Sequence, residues 1–325
     1  MKMMPLEQRG LSNSRLVYGC MGLGGGWNNA PITKEDLYLA ERAVDAALSI
    51  GITMFDHANI YTRGKAEIVF GQVLNEKKRL REQIVIQSKC GIRFKDEKAP
   101  GRYDFSKHHI LSSVDGTLER LGIEYLDILL LHRPDPLMEP DEVAEAFQML
   151  KASGKVRAFG VSNMNAAQMQ FLQQALPDSI VVNQLEMSLG HLDFVNEGVH
   201  VNQTAGTKVN FSTGLMEYCQ MERIQIQAWS PLARGKFTGG NLDGEPEHIK
   251  QTAEMVRQMA EAKATTPEAV VLGWLMRHPA MIQPVIGTTN PERIRACGDA
   301  DRQAELMSRE EWYTLYVNAR GEQLP

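Results

Sequence analysis

Several short apolar runs of this chain end in polar or ionisable residues, and the residue types at those ends suit proton transfer. Thr53-Met54-Phe55 ends in Asp56, Ile84-Val85-Ile86-Gln87-Ser88 in Lys89, and Ile128-Leu129-Leu130-Leu131 in His132. Phe159-Gly160-Val161 leads to Ser162 and Asn163, Val181-Val182 to Asn183 and Gln184, and the run from Ile224 to Ala228 to Trp229 and Ser230. Tyr61 follows Asp56 by five residues. Alone, an Asp after a strand is usually a turn former or helix cap, a Lys a solvated charge, and a His a satisfied structural residue. The case rests on their conjunction. If the runs are parallel strands, their C-terminal ends face one mouth, where Asp56, Lys89 and His132 converge from distant parts of the sequence.

The elements that must hold these ends are visible in the spacing. Apolar runs near 52–55, 83–87, 126–131, 156–161, 180–184, 224–229 and 281–286 are rich in Ile, Leu, Val and Phe, which predicts strands buried on both faces. Leu16-Val17-Tyr18 is a shorter eighth. Between them, Leu37, Ala40, Val44, Ala47 and Leu48 keep a helical period behind a capping-box start at Thr33 to Asp36. Ile110, Val114, Leu118 and Leu121 do the same, as do Val143, Ala146, Phe147 and Leu150, with Gly51, Gly122 and Gly154 where these helices should stop. Strand–helix alternation means βαβ units, and eight of them favour a closed barrel over an open sheet. Two stretches, 91–103 and 190–213, read as long loops after strands, where a barrel builds its site.

Composition bounds the rest. The chain has 325 residues, 43% hydrophobic and 23% charged, which is globular rather than disordered or fibrous. Net charge is 35 − 40 = −5, so no basic footprint for nucleic acid is present. The longest stretch free of charge, 158–177, carries two Asn and four Gln and cannot sit in hydrocarbon. Met1 to Arg15 lacks the apolar core of a signal peptide. The four cysteines show no metal-ligand spacing and read as small buried hydrophobes in a reduced, cytoplasmic protein. No metal site is expected.

At this level of detail the sequence resembles the aldo-keto reductase family. Phe55-Asp56-His57-Ala58-Asn59-Ile60-Tyr61 is similar to that family's Asp-x-Ala-x-x-Tyr signature. Gln87-Ser88-Lys89-Cys90-Gly91, Leu131-His132-Arg133-Pro134-Asp135 and the stretch from Gly154 to Asn163 resemble its next three blocks. Ala228-Trp229-Ser230-Pro231-Leu232 and the stretch from Ile286 to Ile294 resemble the last two. Any one block is weak, but six in order across about residues 5 to 318 are specific. The Asp-His-Ala and His-Arg-Pro-Asp-Pro-Leu variants are similar to bacterial NADP-linked oxidoreductases. The resemblance implies an α/β fold, a (β/α)8 TIM barrel with an N-terminal hairpin and a C-terminal helix or tail, formed by 1–325 as a single domain.

The same resemblance makes Asp56, Tyr61, Lys89 and His132 the catalytic tetrad of an NADP(H)-dependent enzyme, with NAD as the alternative cofactor and a small carbonyl compound as substrate. A carbonyl that accepts hydride becomes an alkoxide and needs a proton. Tyr61 can supply it, although a free phenol pKa near 10 is a poor match to neutral pH. A cationic Lys89 about 4 Å away, at an effective dielectric near 20, pulls that value down by roughly 3 units before desolvation opposes it. Asp56 holds Lys89, and His132 orients the carbonyl or relays the proton. Ser162, Asn163 and Gln184 match residues that bond the nicotinamide carboxamide, and Trp229 the aromatic that stacks on its ring. Ser230, Leu232, Arg234 and Lys236 match the loop over the pyrophosphate. Gly287, Thr288 and Arg293 match the region around the adenosine 2′-phosphate, where Arg293 opens a helix whose N-terminal amides add to the same anion. Trp27 matches a wall of the substrate pocket.

The chain departs from the family pattern at His57 (often Thr), Thr62 (mostly Gly), Gly287 (often a phosphate-binding Lys), and Ala296 and Cys297 (often Glu and Asn around adenine). Two stretches imitate other folds. Gly19 to Gly26 looks like a Gly-rich dinucleotide turn, and Tyr61-Thr62-Arg63-Gly64-Lys65 spells the Tyr-x-x-x-Lys of short-chain dehydrogenases. The spacing opposes that reading, because Tyr61 comes only 37 residues after Gly24. Thr62 to Gly64 reads as a loop before a helix on which Lys65 is solvated. A second rival, a nucleotide-binding regulatory barrel with little turnover, keeps the tetrad and differs in activity alone.

Overall fold

The computed structural model describes residues 3–325. Up to the middle of the chain the elements are α1 (Pro5–Gln8), β1 (Val17–Gly19), α2 (Lys34–Ser49), β2 (Met54–Asp56), α3 (Lys65–Glu76), α4 (Leu80–Gln83), β3 (Val85–Cys90), β4 (Ile92–Arg93), β5 (Arg102–Tyr103), α5 (Lys107–Leu121), β6 (Leu126–Leu131) and α6 (Pro140–Ala152). Then come β7 (Val156–Ser162), α7 (Ala166–Gln173), β8 (Val182–Glu186), α8 (Asp193–Val199), α9 (Leu215–Met221) and β9 (Gln225–Trp229). The last are α10 (Glu247–Ala262), α11 (Pro267–Met276), β10 (Gln283–Ile286), α12 (Pro291–Arg295), α13 (Ala300–Leu306) and α14 (Arg309–Arg320). Eight strands, β1, β2, β3, β6, β7, β8, β9 and β10, pair in parallel, and β10 returns to β1, so the sheet is a closed barrel. Each expected strand is present.

Local chemistry explains the helix limits. The Thr33 hydroxyl accepts from Asp36 N (3.1 Å) and the Asp36 carboxylate accepts from Thr33 N (2.8 Å), the reciprocal cap that starts α2. Gly122 ends α5 at φ +63°, a left-handed turn that costs glycine least. Two apolar layers result. Val17, Met54, Ile128, Leu130, Val182 and Val285 fill the inside of the barrel, and a larger layer lies between the strands and the surrounding helices.

The first and last helices among the described residues are tied to this frame. The expected N-terminal hairpin is not there: among the described residues the segment before β1 is the single turn α1. Pro5 takes the first helical position, Glu7 reaches back to Met4 N (3.3 Å), and Leu6, fully buried, joins the layer inside the barrel. A helical turn satisfies its own backbone there, whereas a hairpin would leave strand edges to pair. Burying Leu6 contributes about 1.5–3 kcal/mol. The C-terminal helix is present as α14. Trp274 of α11 stacks on Trp312 of α14 at 5.1 Å, and each indole N–H donates to the other's main-chain carbonyl at 3.0 Å.

The two long loops carry structure of their own. Within 91–103, β4 and β5 form an antiparallel hairpin, and 190–213 contains α8 and a 3₁₀ turn at Thr204–Lys208. Short polar elements of this kind have no apolar period to announce them. Among the described residues, no helix is long and apolar enough to cross a membrane, and no cluster of His, Cys, Asp or Glu is arranged to hold a metal ion. All four cysteines are free and buried.

Candidate active site

The strand ends bring the predicted tetrad together. Asp56 closes β2, Lys89 lies near the end of β3, His132 follows β6, and Tyr61 stands in a 3₁₀ turn after β2. Lys89 Nζ donates to Asp56 Oδ2 (2.6 Å), the His57 carbonyl (2.9 Å) and the Tyr61 hydroxyl (3.0 Å). Asp56 and Lys89 are each 1% exposed, so the pair is out of water. Burial alone would push the Lys89 ammonium down, but Asp56 and Tyr61 outweigh it and hold its pKa above the usual value.

Tyr61 departs from the sequence expectation. Burial pushes the phenol up, Lys89 only partly offsets it, and the net pKa lies above 10 rather than below. The reason is that the ring is buried in the cavity wall, and desolvation of the phenolate outweighs the pull of the cation. The phenol of Tyr61 is therefore protonated across the neutral range, with the Lys89 ammonium beside its oxygen.

His132 is held well below its usual pKa, first by burial and then by Lys89 and Arg133, so its imidazole is neutral. Its Nδ1 is buried without a partner. The single ring proton is then best placed on Nε2, where it can donate into the cavity. Its ring lies edge-on to Tyr61 at 6.0 Å. His57, in the place of the family's Thr, packs edge-on against Phe70 at 4.6 Å, and burial pushes its pKa to about 3.

The two imitations resolve in the same region. Thr62 and Arg63 are left-handed (φ +46° and +61°), so Tyr61 and Lys65 share no helical face. Gly24 (φ +77°) packs on the start of α3, where a Cβ would come within 2.7 Å of the Lys65 main chain; close approach explains this glycine without a phosphate. Lys65 is not solvated as expected. It is 8% exposed, and its Nζ donates to Asn28 Oδ1 (3.2 Å) and the Ala30 carbonyl (3.3 Å), which ties the Trp27 segment to α3. Lys65→Met is expected to lower stability by about 0.5–1.5 kcal/mol, the net worth of a hydrogen bond whose acceptors, Asn28 and Ala30, lie at the surface, with kcat changed little. Thermal unfolding beside initial rates checks this.

Above the tetrad lies a cavity of ≈ 620 Å³. Tyr61, His132, Trp27, Ser162, Asn163 and Gln184 line it together with Trp229, Ser230, Leu232, Arg234, Gly287, Thr288 and Arg293. Lys236 does not line it: its ammonium pairs with Glu245 at 2.8 Å. Ser162 donates to the Gln184 carbonyl (2.9 Å), Asn163 Nδ2 to Ser162 Oγ (2.8 Å) and Trp229 Nε1 to Asn163 Oδ1 (3.1 Å). Asn163, Ser230 and Arg234 are left-handed at φ +54° to +58°, and such conformations persist where the surroundings fix them. Trp27 is half exposed, its ring 6.4 Å from Tyr61.

The far end of the cavity is cationic. Arg293 Nη2 donates to Thr238 Oγ1 (3.1 Å), and its Nε lies 3.6 Å from the Glu268 carboxylate. The amides expected to join Arg293 on an anion are already used, because Asn290 Oδ1 accepts from Glu292 N (2.9 Å) and Arg293 N (3.4 Å). Sequence reasoning missed Arg133, which lines the cavity beside Trp229, and Ile92 of the β4–β5 hairpin. It also missed Gln87, whose Nε2 donates to Asp56 Oδ1 at 2.6 Å. A signal for the last was available, since Gln at an inward position of an apolar strand needs a polar partner.

Comparison with known proteins identifies the family and the fold. The model of the Aldo/keto reductase family matches residues 15–309. An uncharacterized oxidoreductase, YcsN, of Bacillus subtilis is 38% identical over 97% of both chains. A 6-dehydroglucose reductase of Agrobacterium fabrum is 35% identical, also over 97% of both. The crystal structure of the thermostable aldo-keto reductase Tm1743 with the inhibitor epalrestat, 23% identical, superposes with a TM-score of 0.70 over 94% of each chain and shares the fold. With a closed parallel eight-stranded barrel and a family match across most of its length, the chain belongs to the aldo/keto reductase family of oxidoreductases.

Proposed function

We propose that this protein is a cytoplasmic NADP(H)-dependent reductase of aldehydes or ketones, with residues 1–325 as one catalytic unit and Tyr61 as proton donor. The observation that carries this reading is the contact of Tyr61 OH with Lys89 Nζ at 3.0 Å, with Lys89 held by Asp56 at 2.6 Å, beneath a cavity that also receives His132. Reduced nicotinamide supplies the hydride when bound. The protein's part is the proton. The carbonyl oxygen accepts the His132 Nε2–H and the Tyr61 O–H; as it gains electrons it takes the Tyr61 proton, and Lys89 stabilises the phenolate left behind.

The residues present fit the cofactor. Gln184 Oε1 receives no protein hydrogen bond and faces the cavity, where the carboxamide NH2 of nicotinamide could donate to it. Ser162 and Asn163 stand beside it, Trp229 offers a ring face, and Ser230, Leu232 and Arg234 form the loop beyond. An NADPH-consumption screen over aldehydes, ketones and quinones tests the reading. Nucleotide binding with no consumption would leave the regulatory barrel in its place.

For cofactor choice, Arg293 supports NADP over NAD, because a guanidinium fork gains a charge-assisted contact from the 2′-phosphate and none from a hydroxyl. One such contact is worth roughly 1.5–3 kcal/mol, or about 10- to 150-fold in Kd. Glu268 already neutralises part of the Arg293 charge, the neighbouring amides serve the Asn290 cap, and Gly287 adds no cation. The expected preference for NADPH is therefore about 10-fold, the low end of that range. Arg293→Ala should close most of it, as read by quenching of tryptophan fluorescence with each cofactor. Equal wild-type affinities would remove the NADP assignment and leave the reductase reading standing.

A further inference from the structure

The inside of the barrel carries glutamines at a level where barrels of this kind ordinarily stack branched apolar side chains. Gln87 on β3, Gln184 on β8, Gln227 on β9 and Gln283 on β10 are all buried, and three of them, Gln87, Gln227 and Gln283, expose no surface. Strand register sets them side by side: Asp56 opposite Gln87, Gln184 opposite Gln227, and Gln227 opposite Gln283. Their amides form one continuous chain. Gln283 Nε2 donates to the Ser14 carbonyl (2.5 Å) and Gln227 Nε2 to Gln283 Oε1 (3.0 Å). Gln87 Nε2 donates both to Gln227 Oε1 (2.9 Å) and to Asp56 Oδ1 (2.6 Å). Gln184 Nε2 makes the same two bonds at 3.0 and 3.2 Å.

The direction of the chain is fixed at both ends. A main-chain carbonyl and a carboxylate only accept, so an NH2 group must face each. With the NH2 groups of Gln87 and Gln184 aimed at Asp56, their second N–H meets Gln227, whose oxygen must face them and whose NH2 must face Gln283. Turning Gln227 round would set oxygen against oxygen. Turning Gln87 round would set its oxygen against the carboxylate. The arrangement leaves Gln87 Oε1 buried without a partner, a cost that an apolar layer would not carry. Packing therefore does not account for the amides. Gln87, Gln227 and Gln283 do not line the cavity, so contact with a ligand does not account for them either.

Resting on the reductase reading above, we infer that Gln87, Gln227 and Gln283 are positioning residues that lock the Asp56 carboxylate, Oδ1 toward the amides and Oδ2 toward Lys89, and so hold the ammonium against the Tyr61 hydroxyl. Each of the three Lys89 N–H groups has one fixed acceptor, and Asp56 is the charged one. The other titratable groups around this pair are His57, His132 and Cys20; burial keeps both imidazoles neutral and the thiol protonated, so none replaces the carboxylate. If Asp56 could rotate, Lys89 would move with it and the phenol would lose its cation.

Methionine keeps the length of glutamine and removes the amide, so Gln87→Met, Gln227→Met and Gln283→Met test the chain from its near end to its far end. Misplacing a catalytic group by about 1 Å costs on the order of 100-fold, so kcat for carbonyl reduction should fall about 100-fold for Gln87→Met and about 10-fold for Gln227→Met, and least for Gln283→Met. Cofactor Kd should stay close to wild type. A second readout does not depend on turnover: the nitrogen-15 NMR signal of the buried Lys89 ammonium, assigned by its loss in Lys89→Met, should be sharp in the wild type and broadened in Gln87→Met and Gln227→Met. That NMR pattern in a protein that reduces no carbonyl would keep the positioning role and discard the reductase reading. Variants that unfold at lower temperature but keep the wild-type ammonium signal and the wild-type kcat per folded molecule would reduce the amides to packing and overturn the inference.

Discussion

Tyr61→Phe is expected to lower kcat for carbonyl reduction at least about 100-fold, the ordinary worth of a positioned general acid. Phenylalanine keeps the ring and its edge contacts with Trp27 and His132, and removes one hydroxyl. That hydroxyl has one protein partner, Lys89 Nζ, which keeps its two other acceptors in the variant. Cofactor affinity should therefore change little, and the loss should fall on kcat. The pH profile adds a sign. Burial raises the phenol pKa above 10, so the wild type should reduce carbonyls at a level rate through neutrality and lose activity only as pH rises beyond 10. Alcohol oxidation needs the phenolate and should climb over that same range. Initial rates in both directions for wild type and variant test all three statements. Near-wild-type reduction by Tyr61→Phe would remove Tyr61 from the mechanism.

The barrel was legible because its strands are buried on both faces and read as apolar runs, and because the helices between them keep a period and stop at glycine. The convergence of Asp56, Lys89 and His132 was legible for the same reason: a parallel barrel has one mouth, and side chains at strand ends must meet there. What escaped depends on contacts between elements. α1 is one turn whose only announcement is Pro5, and its purpose is the burial of Leu6 inside the barrel. Lys65 reads as solvated because its acceptors, Asn28 and Ala30, lie more than thirty residues earlier. The sign of the Tyr61 shift depends on how deeply the ring is buried in the cavity wall, which spacing does not encode. Lys236 matches the pyrophosphate loop only by its place in a motif, and Glu245 captures its charge.

Lys89→Met is expected to cost more than the loss of Tyr61's hydroxyl, because it acts on two quantities at once. At 3.0 Å and an effective dielectric near 20, an ammonium favours a phenolate by on the order of 5 kcal/mol. Allowing for partial compensation by the remaining dipoles, kcat should fall at least about 1000-fold. The same change leaves Asp56 as a buried carboxylate without a cation, which costs about 3–5 kcal/mol of stability when one partner of a buried pair is removed. The two effects separate in the double variant Asp56→Asn with Lys89→Met. Removing both charges should restore much of the stability and none of the activity, since the phenolate still lacks its cation. Lys65→Met is the matched control, because it removes a second buried lysine whose ammonium bonds neither Tyr61 nor Asp56. Rates normalised to folded protein, beside thermal unfolding of all three variants, give the comparison. If Lys89→Met kept its activity and Lys65→Met lost it, the Tyr-x-x-x-Lys pairing of the short-chain dehydrogenases would have to be reconsidered. The left-handed turn at Thr62 and Arg63 argues against that outcome, since it carries Lys65 away from the phenol and toward the Trp27 segment.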